Sequence, residues 1–447
     1  MASEAPDGRR ELETMTRRQT LAACAAALAT LARADEAAKD EGALAAQVDL
    51  ENAERIALAR NPDIREAGER ATAAEARARA SGRLPDLAVQ TQLWQQPLST
   101  PFNFSQANMF MVGLRQTFPA PGSLSSREDA GRAEAAAVRA GLVARRAEVV
   151  QQVRRAYSQY WLSEQEQVIH LEHMQLTDRI VQDARGYFTQ GLMSKADFLR
   201  TTVELARVHA VLSDVAQQRR TSGALLNVLM AREPDAPLGA PKAMPMPEME
   251  QSVSDLEARA SKRPELEAAA DAVARSAAQL AAIRAESSWP EFMVGIDYGY
   301  MPVDGTSTYT AMLGFTLPWL SPRHSDERRE ATASLSAQEA ALASARNQAR
   351  FQLRDALARY RAARDTYDLV DRQLLPQAQM AAVASQDAFR NGQTESLGLL
   401  GALRELLDVR LELVRARARV EESWADLQRA AGEDLAVGPA RTEGGAK

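Results

Sequence analysis

The sequence predicts a mainly α-helical chain with a small β part. It reads as two tandem repeats of helix, strand, strand, long helix and short helix. Three observations carry this. The 447 residues are 45% hydrophobic and 26% charged but only 5% aromatic, a balance that favours long helices over a sheet-dominated core. One turn is written twice, as FTQGL at 188–192 and FRNGQ at 389–393. Two pairs of short stretches alternate between apolar and polar residues, the period of a half-buried strand.

Residues 1–14 are polar and read as an upstream extension. At Met15 the character changes. MTRRQT supplies a basic region, LAACAAALATL an apolar stretch, and Ala32-Arg33-Ala34 a cleavage site, so 15–34 reads as a secretory signal peptide. Cys24, the single cysteine, follows Leu21-Ala22-Ala23 and is a lipidation candidate, although little apolar sequence precedes it. With Cys24 inside the signal, the mature chain has no disulfide and no thiol-based metal site or nucleophile. A net charge of −6 argues against nucleic acid as a partner. No later segment offers the roughly 18 apolar residues of a membrane-spanning helix, so any membrane entry must be made by strands.

The first repeat covers 35–232. Asn61-Pro62 opens an Ala-rich helix, and strands follow at about 87–95 and 108–118. A proline-free run then predicts a long helix over 123–189, on the order of 100 Å at 1.5 Å per residue. With Val150 at an a position, eight of the twelve a and d sites to residue 188 are apolar, a coiled-coil-like seam. Glu164, Gln167, Asp178 and Arg185 are its polar members and suit helices arranged around a hollow. A shorter helix over 194–231 ends the repeat. The Pro- and Met-rich stretch 233–250 links it to the second repeat, 251–432. There Arg263-Pro264 opens the helix, strands follow at about 292–301 and 308–317, and a long helix over 323–390 is interrupted by a kink at Pro376. Corresponding positions lie 199 to 205 residues apart. Residues 433–447 read as a flexible tail.

Gly191 and Gly392 end the long helices, where a left-handed residue is needed for the chain to reverse. Two helical hairpins then present similar tips at one end. In the strands Phe110, Val112, Leu114 and Phe118 share one face, and Gly113, Arg115 and Thr117 the other. An apolar face backed by a polar one also fits a strand between lipid and an aqueous lumen, and each strand has about the length that crossing requires. Four strands are too few to close a barrel, so several chains would have to contribute. His170 and His173 stand three apart, as a metal-sharing pair or, more commonly, two solvated residues. Met244, Met246 and Met249 fit either soft-metal ligation or a packed linker, and the Pro-rich setting favours the linker. Asp297 lies on the polar strand face.

Together these features resemble the TolC-like outer-membrane factor family. The duplicated order carries the resemblance, with the Thr117-Phe118-Pro119 and Thr316-Leu317-Pro318 strand ends, Leu374-Leu375-Pro376, and the tips YFTQGLMSKADFL and AFRNGQTESLGLL. It covers about residues 50 to 431. It implies a homotrimer whose α-helical barrel continues into a 12-stranded transmembrane β-barrel in outer-membrane lipid, with the helices in the periplasm. It implies a passive exit duct, no cofactor and no catalysis. The partners implied are a periplasmic membrane-fusion adaptor and an inner-membrane pump, of the resistance–nodulation–division type. Gly191, Leu192, Gly392 and Gln393 become adaptor-docking tips. Asp197 and Glu395 become tunnel-gate acids, although the second half has Gly398 and Gly401 where relatives carry aspartates. Leu317-Pro318-Trp319 followed by a charged helix is similar to heavy-metal-efflux members. The other readings are a duct for type I protein secretion and a non-channel periplasmic scaffold. The strand pairs argue against the scaffold.

Overall fold

The computed structural model describes residues 41–95, 107–249, 251–302, 304–391, 393 and 396–432. The expected signal peptide, Cys24 and the tail lie outside them, as do Gly392 and Glu395. Two compact units form. Their described residues fall within 41–59, 152–247 and 363–422 in one, and within 60–151, 248–362 and 423–432 in the other.

The chain begins with a two-residue strand β1 (Gln47–Val48) and helices α1 (Leu50–Arg60) and α2 (Pro62–Ser81). Asn61 caps α2 by accepting from the Asp63 amide at 3.0 Å, and Pro62 starts the helix where no N–H is required. Strands β2 (Ala88–Trp94) and β3 (Met109–Phe118) follow, then the 67-residue helix α3 (Ser123–Thr189) and α4 (Lys195–Leu229). After β4 (Ala240–Pro241) and the short α5 (Val253–Ala260), the order returns. It runs α6 (Pro264–Glu286), β5 (Phe292–Met301), β6 (Thr306–Phe315), a 3-10 turn at Pro318–Leu320, α7 (Arg323–Leu369), α8 (Leu375–Arg390) and α9 (Ser396–Ala431).

The second long helix is interrupted just before Pro376. Between α7 and α8 lies a π-helical turn, Val370–Leu374, in which the Leu375 amide reaches back five residues to the Val370 carbonyl. Pro376 explains it: proline has no N–H and its ring crowds the carbonyl four residues earlier, and a wider turn relieves both conflicts. Val370 is 1% exposed, so this turn is anchored in the core.

In the first unit the linker is held by hydrogen bonds. β4 pairs in parallel with β1, and the Tyr157 hydroxyl of α3 lies 3.0 and 2.7 Å from the carbonyls of Val48 and Lys242. Tyr160 donates to the Gly239 carbonyl at 3.0 Å, and Arg232 clamps Glu41. These contacts satisfy backbone carbonyls that Pro-rich chain could not pair in a regular sheet. Arg417 of α9 completes the clasp with the Met244 carbonyl at 2.7 Å, the Met246 sulfur and Glu421.

In the second unit α2 packs closely on α3. A Cβ on Gly131 would lie 2.8 Å from Ala78 Cα, so only glycine fits at that crossing. Arg139–Glu75 and Arg145–Asp63 pairs flank it. The unit's sheet runs β2-β3-β5-β6, antiparallel throughout.

Candidate functional site

Three places bear on function: the sheet, the helical tips, and a buried polar layer behind those tips.

In the sheet, strict alternation puts Phe110, Val112, Leu114, Phe118, Phe292, Val294, Ile296, Tyr298, Tyr300, Leu313 and Phe315 on one face, all exposed. The cross-strand register sorts them by height. Phe118, Phe292 and Phe315 line up at one end. Phe110 faces Tyr300 and Tyr298 faces Tyr309 towards the other. Between the two aromatic rows this face carries Val89, Leu114, Val294, Ile296, Ala311 and Leu313, with Gln116, opposite Val294, as its polar member. An exposed aliphatic band between aromatic girdles is the lipid-facing pattern of a transmembrane β-barrel. Trp289 and Trp319, 59% and 61% exposed, flank the strands on the Phe118 side in sequence. The opposite face is polar and glycine-rich. Asp297 is 6% exposed there, lies against Gly113 and pairs with Arg115 at 3.9 Å.

The first tip closes α3. Gly191 adopts φ +74°, the Leu192 amide donates to the Tyr187 carbonyl at 2.9 Å, and Gly191 donates to Phe188 at 3.0 Å. This is a Schellman motif. A Cβ on Gly191 would touch nothing within 4 Å, so the left-handed backbone, not crowding, calls for glycine. Leu192 is 72% exposed. At the second turn the Gln393 amide donates to the Ala388 carbonyl at 2.8 Å, the equivalent long bond, and Gln393 is exposed. The two turns are neighbours. Tyr187 and Phe389, each a few residues before its turn, meet edge to face at 5.8 Å, and Phe188 stacks on Phe198 at 5.3 Å. Below them Ile180, Ala382, Leu399, Leu400 and Leu403 form a core.

Asp197 has a local occupation. Ser194 caps α4 by accepting from the Asp197 amide at 3.1 Å, and its hydroxyl donates to the Asp197 carboxylate at 2.6 Å. Arg200 sits 3.3 Å from the same carboxylate. The Asp197 carboxylate therefore holds the capping Ser194 hydroxyl and pairs with Arg200.

Behind the tips the structure corrects two expectations. His170 and His173 are not solvated: they are 7% and 8% exposed. Burial lowers both pKa values below the ordinary histidine range, more than the nearby carboxylates Glu166 and Glu204 raise them. Glu204 of α4 is paired with Arg404 of α9, and Glu166 with Arg415 at 2.7 Å. The seam also shifts. Val150, Val153, Tyr157 and Tyr160 are buried as the heptad predicts, but the buried line continues through Ser163, Glu166, His170, His173 and Thr177, one residue before the extrapolated sites. From Tyr160 the steps run three, three, four, three and four residues, so two successive extra three-residue steps, to Ser163 and to Glu166, carry the line back by one residue. Leu171, expected on the seam, is 38% exposed, while Glu164 bonds Arg219 of α4.

Among the described residues no group of three or more His, Cys, Asp or Glu could hold a metal ion. Met246 is engaged by Arg417, and Met249 lines a small hollow with Leu256 and Trp424. No helix among them is long and apolar enough to cross a membrane.

The sequence matches the model of outer membrane efflux proteins over residues 53–232 and 256–433. The chain belongs to the outer membrane efflux protein family. No curated protein matches it significantly. The fold of this efflux protein is similar to that of a membrane protein from Pseudomonas aeruginosa, at 19% identity and TM-score 0.74 over 86% of this chain and 90% of the other. It is also similar to VceC of Vibrio cholerae, at 20% identity and TM-score 0.71 over 86% and 96%. The CmeC outer membrane channel of Campylobacter jejuni matches at 14% identity and TM-score 0.74 over 86% and 85%. The family and these channels are not enzymes. The efflux protein is thus an outer-membrane channel with a mainly helical fold and a small β part.

Proposed function

We propose that this efflux channel acts as a homotrimer, the passive exit duct of a tripartite assembly. The sheet carries the proposal. Among the described residues its order leaves β2 and β6 each with one unpaired edge, and its aliphatic band is exposed. An open edge within lipid would strand backbone N–H and C=O groups at several kcal/mol each. Pairing β6 of one chain with β2 of the next removes every edge and closes twelve strands from three chains. The apolar face then meets outer-membrane lipid, the polar face lines the lumen, and the helices stand in the periplasm.

Gly191, Leu192, Gly392 and Gln393 form the end that docks a periplasmic membrane-fusion adaptor, itself bound to an inner-membrane pump of the resistance–nodulation–division type. Paired turns capped alike and the exposed Leu192 support this. Asp197 and Glu395 are the acids proposed for the tunnel mouth, Asp197 being bonded to Ser194 and paired with Arg200. The cargo is heavy-metal cations, a reading supported by the Leu317-Pro318-Trp319 step into α7.

A susceptibility panel on a deletion strain tests this, comparing copper, silver and divalent metals with organic drugs and detergents. Selective metal sensitivity, restored by the intact gene, is expected. Sensitivity to drugs alone would refute the metal assignment and retain the duct.

A further inference from the structure

The polar face of the sheet carries an unusual side chain for such a surface. Alternation puts five methionines on it: Met109 and Met111 of β3, Met293 and Met301 of β5, and Met312 of β6. Three of them stand opposite a glycine in the cross-strand register: Met111 opposite Gly299, Met293 opposite Gly314, and Met312 opposite Gly295. A glycine opposite a long side chain leaves that side chain room to lie across the partner strand. Met109 does so. Its sulfur and the Thr308 hydroxyl both lie within 3 Å of where a Cβ on Gly299 would stand.

The methionines are also ordered along the strands. Met109 and Met301 lie one step beyond the Phe110–Tyr300 pair. Met111 is two residues further down, then Asp297, then Met312, then Met293. Rungs on one strand face are about 6.7 Å apart, and diagonal neighbours across strands lie within reach of long side chains. Every rung but that of Asp297 therefore offers a thioether, and Asp297 is paired with Arg115.

We propose that this face is a transit ladder for soft, thiophilic monovalent cations of the Cu(I) and Ag(I) class. This rests on the reading that the face lines the duct. Thioethers are soft donors that select such ions and hold hard divalent cations poorly. Methionine that merely fills gaps is buried, whereas Met293 and Met312 are 37% and 36% exposed. One or two thioethers per rung bind weakly, and a row of weak sites lets an ion enter and leave, as conduction requires.

Full-length protein carrying 13C-methyl methionine, purified in detergent, would be titrated with silver nitrate and, separately, with zinc chloride. Silver should shift the methyl signals of the five sheet methionines and leave Met244 and Met380 in place. Replacing all five with leucine, a volume-conserving change, should weaken silver binding at least tenfold. Zinc should shift none. Unmoved sheet methyls with silver, equal shifts at every exposed methionine, or equal shifts with zinc would each overturn the proposal, and the wild-type titration does not depend on the variant folding. The duct reading is tested apart. A charged thiol reagent should modify Met111→Cys in intact cells but not Val112→Cys. The reverse pattern would overturn the duct reading and transit through it, whatever silver does.

Discussion

The Asp297 carboxylate occupies the space a side chain at residue 113 would need: a Cβ built on Gly113 would collide with Asp297 Oδ1. The two residues are register partners on β3 and β5, and Arg115 joins them two residues along. Gly113→Ala should therefore destabilise the protein by about 1–3 kcal/mol, the usual cost of overpacking. Asp297→Ala in the same chain should recover part of that loss, because the collision goes. A double-mutant cycle on thermal unfolding in detergent measures the coupling. Strict additivity would show that the two residues do not share this space.

At the tip, Gly191→Val places a β-branched residue at φ +74°, where an L side chain costs roughly 1–2 kcal/mol. Most of the protein does not feel this, since nothing lies near that Cβ. The outcome expected is impaired efflux with the trimer intact on gels. Gly191→Asn should stay close to wild type, because asparagine tolerates the left-handed region. Normal efflux from the valine variant would remove Gly191 from the docking surface.

The helices and strands were legible because their signals are local. Period-two alternation set out Met109–Phe118 and Phe292–Met301, and Gly191 announced its own helix end. Strand β6 begins two residues before its expected start at 308 because Thr306 and Ser307 still pair with Met301 and Tyr300, which no pattern of apolar residues reveals. The buried polar layer was illegible for a different reason. A heptad extrapolated from Val150 cannot register the one-residue shift of the buried line after Tyr160, so it chose Leu171 and passed over His170 and His173. The better signal was polar: Glu166, His170, His173 and Thr177 sit at spacings of four, three and four, and Arg404 and Arg415 lie on the helix that meets them. Pro376 marked an interruption, but only the backbone shows that a π turn absorbs it.

Two buried groups should give stability opposite slopes with pH. The folded pKa values of His170 and His173 are lowered by burial. The unfolded chain therefore takes up protons first, and stability falls as pH drops below about 6.5, levelling once the folded histidines titrate. Glu421 behaves in reverse. Burial raises it to about 7 despite Arg417 and Arg154, so the folded state holds the proton more tightly, and stability rises as pH falls from about 7 towards 4.5. Glu421→Gln should stabilise the protein at pH 8 by about 1–3 kcal/mol and make little difference at pH 4.5. His170→Gln with His173→Gln should remove the opposing decline. Melting temperatures in detergent from pH 8 to 4.5 decide between them. A Glu421→Gln gain that persisted unchanged to pH 4.5 would show that packing, not ionisation, is responsible.

The two faces of the sheet make the last test, because one residue type should have opposite fates on them. Leu114 lies mid-band on the apolar face, opposite Ile296 and Val89. Thr310 lies on the polar face, opposite Asp297. Leu114→Arg puts a guanidinium into hydrocarbon, which costs about 2–4 kcal/mol near the midplane of a barrel. Thr310→Arg puts the same group beside a carboxylate in a polar setting. The first should reduce the heat-resistant assembled species recovered from outer membranes, and the second should leave its yield unchanged. If the face that tolerates arginine proved to be that of Leu114, the sheet would be oriented the other way, with its aliphatic band packed inside the assembly and its methionines turned outward.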